Sequence, residues 1–263
     1  GYGCLALAPA NKWQADSDLC RTSPPCCCLI HNTLSCVPAG APKINTFCSI
    51  AQPWRGGHSH QDRLQVSVFA GRDQLVDSGQ ISYDQPASKI LRQSGAHNVL
   101  VIDGSEQLKA DPEILSWQTD AQADFASGIE ESNGLQHQRS VLFVKPDYWV
   151  VVDQVSGPGK HEVTRQFQFE PGSRIKSDKH SAETIFPVGW NIRVEAADDG
   201  RLEMRRGMVA ATVNTVEESK IAAFVNRVVE PACTTSGSTE QNTTKRASRP
   251  RRRILLPAAG VGR

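Results

Sequence analysis

The sequence predicts an all-β chain folded as an antiparallel β-sandwich. Two features point there: short β-branched and aromatic runs recur from Arg63 onward between Gly, Pro, Asp and Asn, and no useful length of chain repeats apolar residues with a helical period. Runs of this kind each bury one face and then turn back sharply, the pattern of strands packed in two antiparallel layers.

Leu64, Val66 and Val68 alternate with Gln65 and Ser67 ahead of Phe69, which is the two-residue period of a half-buried strand. Gln74–Gly79 reads as a short strand stopped by glycine, and Asn98–Gly104 as another. Ser140–Val144 and Tyr148–Asp153 face each other across Lys145, Pro146 and Asp147 as a hairpin. Glu162–Phe169 alternates Val163, Arg165, Phe167 and Phe169 before Pro171 and Gly172. Asn191–Ala196, Leu202–Arg206, Met208–Val213 and Lys220–Val225 continue the series more weakly. Residues 1–50 are rich in Pro, Cys and Ala without a sustained period, so no element is assigned to them. From residue 230 the composition turns to Thr, Ser, Gln and Arg, too polar to bury a core, and 230–263 reads as a disordered basic tail. The sandwich domain is therefore expected over 51–229, behind an atypical Cys- and Pro-rich leader at 1–50.

Composition narrows the function classes. With 263 residues, 39% hydrophobic, five Trp and eight Phe, the chain has material for a core, yet it contains no apolar run long enough for a spanning helix. The first residues, GYGCLALAPANKWQ, lack the basic start and unbroken apolar stretch of a secretory signal. The whole chain carries +1, and Lys245–Arg263 alone carries +7, so residues 1–244 carry −6. A nucleic-acid binder would carry its basic stripe through the folded body, so neither nucleic acid nor membrane is expected as a partner. The run Lys245–Arg253 reads as a solvated tail. Nothing in the sequence signals an oligomeric state.

Cys4, Cys20, Cys26, Cys27, Cys28, Cys36 and Cys48 crowd the leader and Cys233 stands alone behind the domain. The contiguous Cys26–Cys28 run suits neither a disulfide framework nor paired zinc-site spacing. Residues 1–50 and 230–263 are accordingly expected to differ from ordinary domain sequence, as a truncated or frame-shifted gene would produce.

Three histidines carry the chemistry. His58 and His60 lie in Gly57-His58-Ser59-His60-Gln61-Asp62, and His97 in Ala96-His97-Asn98. Alternation at a strand entrance would point His58 and His60 to one face. Neutral imidazole suits zinc, and a carboxylate such as Asp77 would complete a His-Asp-His set. Taken by its spacing alone, such a pair is more often a solvated loop than a metal site.

That stretch is followed in order by Val68-Phe69-Ala70, Leu75-Val76-Asp77-Ser78-Gly79, Tyr83, Arg92-Gln93-Ser94-Gly95-Ala96-His97-Asn98 and Val101-Ile102-Asp103-Gly104-Ser105-Glu106-Gln107. Later come His137-Gln138-Arg139-Ser140-Val141, Val150–Asp153 and His161–Phe169. The series resembles the C-terminal domain of heparinase II/III-like polysaccharide lyases and the related alginate lyases. The resemblance implies a β-sandwich attached to a helical toroid, and cleavage of an acidic, uronate-containing polysaccharide by β-elimination. His58 then takes a catalytic or carboxylate-contacting role in the cleft. Tyr83 and Arg92 line the substrate, the latter through its planar guanidinium. His60, Asp77 and His97 hold a zinc ion that is mainly structural, supporting the loop that presents His58.

Family placement further implies a periplasmic or secreted location. The toroid, which supplies the other half of the cleft, should precede Gly57 by hundreds of residues and is not expected in this chain. The chain is thus expected to be a lyase fragment, inactive alone; the alternative is a stand-alone carbohydrate-binding or structural sandwich.

Overall fold

The computed structural model describes residues 27–37, 45–50, 54, 56–145, 148–212 and 214–229. These form fifteen strands: β1 (Cys27–Val37), β2 (Asn45–Ile50), β3 (Gln65–Ala70), β4 (Asp73–Leu75), β5 (Leu100–Ile102), β6 (Glu113–Thr119), β7 (Ala123–Ser132), β8 (Leu135–Val144), β9 (Tyr148–Ser156), β10 (Lys160–Gln168), β11 (Ile175–Ser177), β12 (Ser181–Thr184), β13 (Asn191–Ala196), β14 (Arg201–Thr212) and β15 (Thr215–Val229). One short helix, α1 (Pro86–Leu91), and two 3₁₀ turns, Gly56–His58 and Ser94–Ala96, complete the description. Among the described residues no helix is long and apolar enough to cross a membrane.

Every strand pairing is antiparallel. A large sheet runs β11-β12-β13-β1-β9-β8-β7-β6, and two smaller ones run β14-β15-β10-β5 and β2-β3-β4. The smaller sheets pack on the large one through a main apolar cluster, and β5 and β10 add a second where Leu100, Ile102 and Val163 meet Leu135 and Val155. Val141, Phe143, Trp149, Val151, Ile192 and Val194 come from the large sheet, Phe167, Ala222 and Phe224 from β10 and β15, and Val66 and Val68 from β3. Phe143 stacks on Trp149 at 4.7 Å, and Phe167 meets Phe224 edge to face at 6.1 Å. Each such buried side chain contributes about 1.5–3 kcal/mol, so this seam holds the layers together. The predicted all-β sandwich is the observed fold.

Individual elements differ from the sequence reading in instructive ways. No element was expected before residue 51, yet the backbone of β1 sits between β9 and β13 in the large sheet, and β2 pairs with β3 from Asn45↔Ala70 to Ile50↔Gln65. Two strands therefore lie before residue 51; sheet pairing supplied the pattern that composition hid. The tail at 230–263 lies outside the described residues, as do all cysteine side chains.

The strand expected over Gln74–Gly79 ends at Leu75, because Gly79 N–H donates to Asp77 Oδ2 at 2.9 Å and bends the chain out of the sheet. Gly79 takes φ +68 there. Leu202–Arg206 and Met208–Val213 prove to be parts of one strand, β14, hairpinned to a longer β15. Strands β6, β7, β11 and β12 were not anticipated. The β7–β8 turn is Asn133-Gly134, both left-handed at φ +54 and +73, a geometry that this dipeptide adopts cheaply.

Candidate active site and metal cluster

The histidine motif occupies a loop between Gly56 and Leu64, not a strand. Its 3₁₀ turn closes with Ser59 N–H donating to Gly56 O at 3.1 Å, and Gln61 N–H donates to Arg92 O at 3.0 Å. The loop is thus fastened to the end of α1. Because the backbone turns between them, His58 and His60 serve different neighbours, and the expectation of both rings on one face does not hold.

His58 is exposed and shares a 2.7 Å hydrogen bond with Tyr83 through Nδ1 and Oη; the imidazole tautomer decides which atom donates. The rings meet edge-on at 5.5 Å. Arg92 sits on the other side, with Cζ 5.3 Å from the Tyr83 ring centroid. Its fork is steadied by donation from Nη1 to Gly57 O at 3.2 Å and from Nε to Ser88 O at 3.3 Å. The three residues expected to face substrate therefore form one surface cluster: an imidazole, a phenol and a guanidinium. Tyr83, 48% exposed, is an open platform rather than a packed aromatic.

His60 turns inward. Its ring lies 5.2 Å from that of His97, and its Nε2 is 3.0 Å from Gln80 Oε1. His97 is fully buried, with Nδ1 2.7 Å from Asp77 Oδ1 and 3.3 Å from Ser78 Oγ. Ser78 Oγ in turn donates to Leu91 O at 2.7 Å. One potential ligand atom from each of His60, Asp77 and His97 lies within 4.8 Å of the others. Tetrahedral zinc with bonds near 2.0–2.2 Å separates its ligands by roughly 3.3–3.6 Å, so small side-chain adjustments would close the set around an ion.

The electrostatics suit a cation. Burial, reinforced by the nearby His97, lowers the His60 pKa against the pull of Asp77, Asp62 and Gln80, which favours the neutral imidazole. Burial would raise the Asp77 pKa, but the His97 hydrogen bond and charge, the Gly79 N–H and His60 together press it down to about 2. The second nitrogen of His97, Nε2, is buried without a hydrogen-bond partner among the described residues. Two imidazoles and an anionic carboxylate are borderline donors of the kind zinc accepts, and the set fits. Asp77 uses both oxygens: Oδ2 caps the turn to Gly79 while Oδ1 faces His97.

Sequence reasoning missed the polar residues beneath the site. Arg139 makes a bidentate pair with Asp153, Nε to Oδ1 at 2.7 Å and Nη2 to Oδ2 at 3.0 Å. His137 is held between Glu130 Oε1 at 2.9 Å and Asp153 Oδ1 at 2.7 Å, and Arg63 pairs with Glu130 at 2.9 Å. The signal was present as His137 and Arg139 in the two-residue register of Leu135, Val141 and Phe143 on the buried face of β8, where charges are tolerated only when paired.

The fold and site define the class as an antiparallel β-sandwich domain with a histidine-bearing loop leading into β3. The model of the family "Heparinase II/III-like, C-terminal" matches residues 46–245, and the chain belongs to that family. A heparin-sulfate lyase of Pedobacter heparinus is 27% identical over 179 residues, covering 64% of this chain and 27% of that protein. A heparin-sulfate lyase of Bacteroides stercoris is 23% identical over 145 residues, covering 52% of this chain and 22% of that protein. Among solved structures, heparan sulfate lyase HepC of Pedobacter heparinus aligns with a TM-score of 0.66 at 23% identity, over 71% of this chain and 31% of that one. A structure named as the heparinase III BT4657 gene product aligns with a TM-score of 0.65 at 21% identity, over 74% and 32%. The chain therefore spans less than a third of the length of these relatives.

Proposed function

We propose that this domain forms one wall of the cleft of a lyase that cuts an acidic, uronate-containing polysaccharide of the heparan sulfate type by β-elimination. The observation that carries the reading is the surface cluster of His58, Tyr83 and Arg92, whose His58 lies two positions before His60 of the His60–Asp77–His97 set. β-Elimination moves the C5 proton to a base, breaks the bond from C4 to the glycosidic oxygen, forms the C4–C5 double bond and returns a proton to the departing oxygen. Imidazole and phenol can hold protons near neutral pH, and fixed donors offset the charge that develops on the uronate carboxylate. His58 contacts the reacting sugar or its carboxylate, Tyr83 supplies a stacking and hydroxyl surface, and Arg92 pairs with an acidic group of the chain. His60, Asp77 and His97 would hold zinc, whose contribution is to cross-link the three segments that present this face. A polymer of this size is met outside the cytoplasm, so we place the protein in the periplasm or beyond the cell.

The 263-residue chain presents one wall, and we propose that it binds its polymer without turning it over. The test compares the purified chain on heparan sulfate, heparin and alginate, reading binding by affinity electrophoresis and cleavage by unsaturated-uronate absorbance. Binding should fall with salt, and about tenfold in Arg92→Ala, as loss of a hydrogen bond to a charged group entails. Release of unsaturated oligosaccharide by this chain would overturn the one-wall reading. A folded chain that binds none of the three polymers would favour a structural sandwich.

A further inference from the structure

Two buried residues outside the substrate-facing cluster bond to the backbone beside the donor set. Asn98 follows His97 directly and is fully buried. Its Nδ2 donates to Val76 O at 2.9 Å and to Val66 O at 2.7 Å, while its Oδ1 accepts from Gln168 N–H at 2.5 Å. Val76 directly precedes Asp77. One carboxamide therefore ties the residue before one donor to the residue after another, and fixes both to β3 and β10.

Arg139 reaches the same place from the large sheet. Its Nη1 donates to Asn98 O at 2.9 Å and to Leu64 O at 3.0 Å, while Nε and Nη2 are held by Asp153. Leu64 ends the histidine loop in a left-handed conformation, φ +58, which a leucine adopts only when its surroundings enforce it. The planar fork thus clasps the exit of the loop bearing His60 and the backbone beside His97 at once. Its other edge is immobilised by a carboxylate that His137 also grips. Lysine, a point charge on a flexible stem, cannot span two carbonyls and a carboxylate in this way.

We infer that Asn98 and Arg139 are positioning residues for the His60–Asp77–His97 set, holding its three segments at the separation a metal ion requires. The inference rests on the metal reading above. A donor set assembled from three loops loses affinity when its separation is free to vary, because the ion must then order the loops itself. Outer groups that orient ligands typically alter metal affinity by about 10–100-fold.

The experiment measures zinc affinity by competition with a chromophoric chelator, and the zinc-induced rise in Tm, for the wild-type chain, Arg139→Lys, Asn98→Ala and a core control, Val151→Ala. The expected result is zinc affinity lowered about tenfold or more in Arg139→Lys and Asn98→Ala. Their zinc-induced Tm rise should shrink, while Val151→Ala lowers Tm with and without zinc equally and keeps wild-type affinity. A merely structural role predicts the Val151→Ala behaviour for all three, and that result overturns the inference. Should Arg139→Lys fail to fold, Asn98→Ala decides alone, since it retains the Arg139–Asp153 pair. A wild-type chain that takes up no zinc overturns the metal reading and the inference with it; wild-type uptake with unaltered variants overturns the inference only.

Discussion

His137 Nε2 lies 2.7 Å from Asp153 Oδ1, and both side chains are fully buried between β8 and β9. The other ring nitrogen faces Glu130, so both nitrogens meet carboxylates. Burial opposes protonation of His137, but its hydrogen bonds to Asp153 and Glu130 and the charges of those carboxylates outweigh it and raise its pKa. Burial likewise opposes ionisation of Asp153, yet Arg139 and His137 hold it far below the usual carboxylate range.

The pair sets a pH window for stability. His137 is raised, so its contribution is complete below its unfolded value near ~6.5 and is lost as pH rises through the higher folded value. Asp153 is depressed, so its contribution is complete above ~3.9 and is lost as pH falls through the lower folded value. Tm should be highest between these limits and decline on the alkaline side, and His137→Gln should flatten that alkaline decline. Parallel profiles for the two proteins from pH 6 to 9 would show that His137 is not charged in the native state.

Asp153→Asn should destabilise the fold by about 3–5 kcal/mol, read by chemical denaturation at pH 7. The substitution removes the carboxylate shared by Arg139 and His137 and leaves two buried cations facing an amide. A loss under ~1 kcal/mol, typical of an exposed ion pair, would mean that water reaches the cluster.

The two histidines of the motif should separate cleanly. His60→Ala should lose zinc and the stability that zinc confers, because a ligand bound only by the folded form stabilises it by mass action. His58→Ala should keep zinc and nearly wild-type Tm, since its ring is exposed and bonded only to Tyr83 among the described residues. Elemental analysis of both variants checks this; equal zinc loss in the two would mean that the roles are misassigned.

Gly79→Ala should cost about 1–3 kcal/mol and reduce zinc uptake. An added Cβ at φ +68 would lie 3.1 Å from Ala210 Cβ and 3.2 Å from Ala210 O, against the backbone that donates from Ala210 N–H to Ser78 O. The turn that aims Asp77 would have to move. Wild-type stability and metal content in this variant would show that the turn has slack.

Strands with a regular period were legible in the residues themselves. Val66 and Val68, the β8–β9 hairpin and Asn191–Ala196 announce themselves because alternation reflects burial on one face, a property local to each segment. The ordered short motifs likewise marked His58, Tyr83, Arg92, His60, Asp77 and His97 by resemblance. Strand β1 shows no such local signal: its place between β9 and β13 depends on partners more than a hundred residues away. Asn133-Gly134 was a readable turn signal that the strand series passed over.

What the residues alone determined is the layer architecture, since periodicity is local; the candidate side chains came from the resemblance of the ordered motifs to a family. Only the tertiary structure decided that His58 and His60 part company, that Tyr83 rather than His60 is the partner of His58, and that Arg139 reaches across layers to Leu64 and Asn98. Those relations join segments 25, 75 and 41 residues apart, and their geometry is set by how the sheets stack rather than by any spacing along the chain.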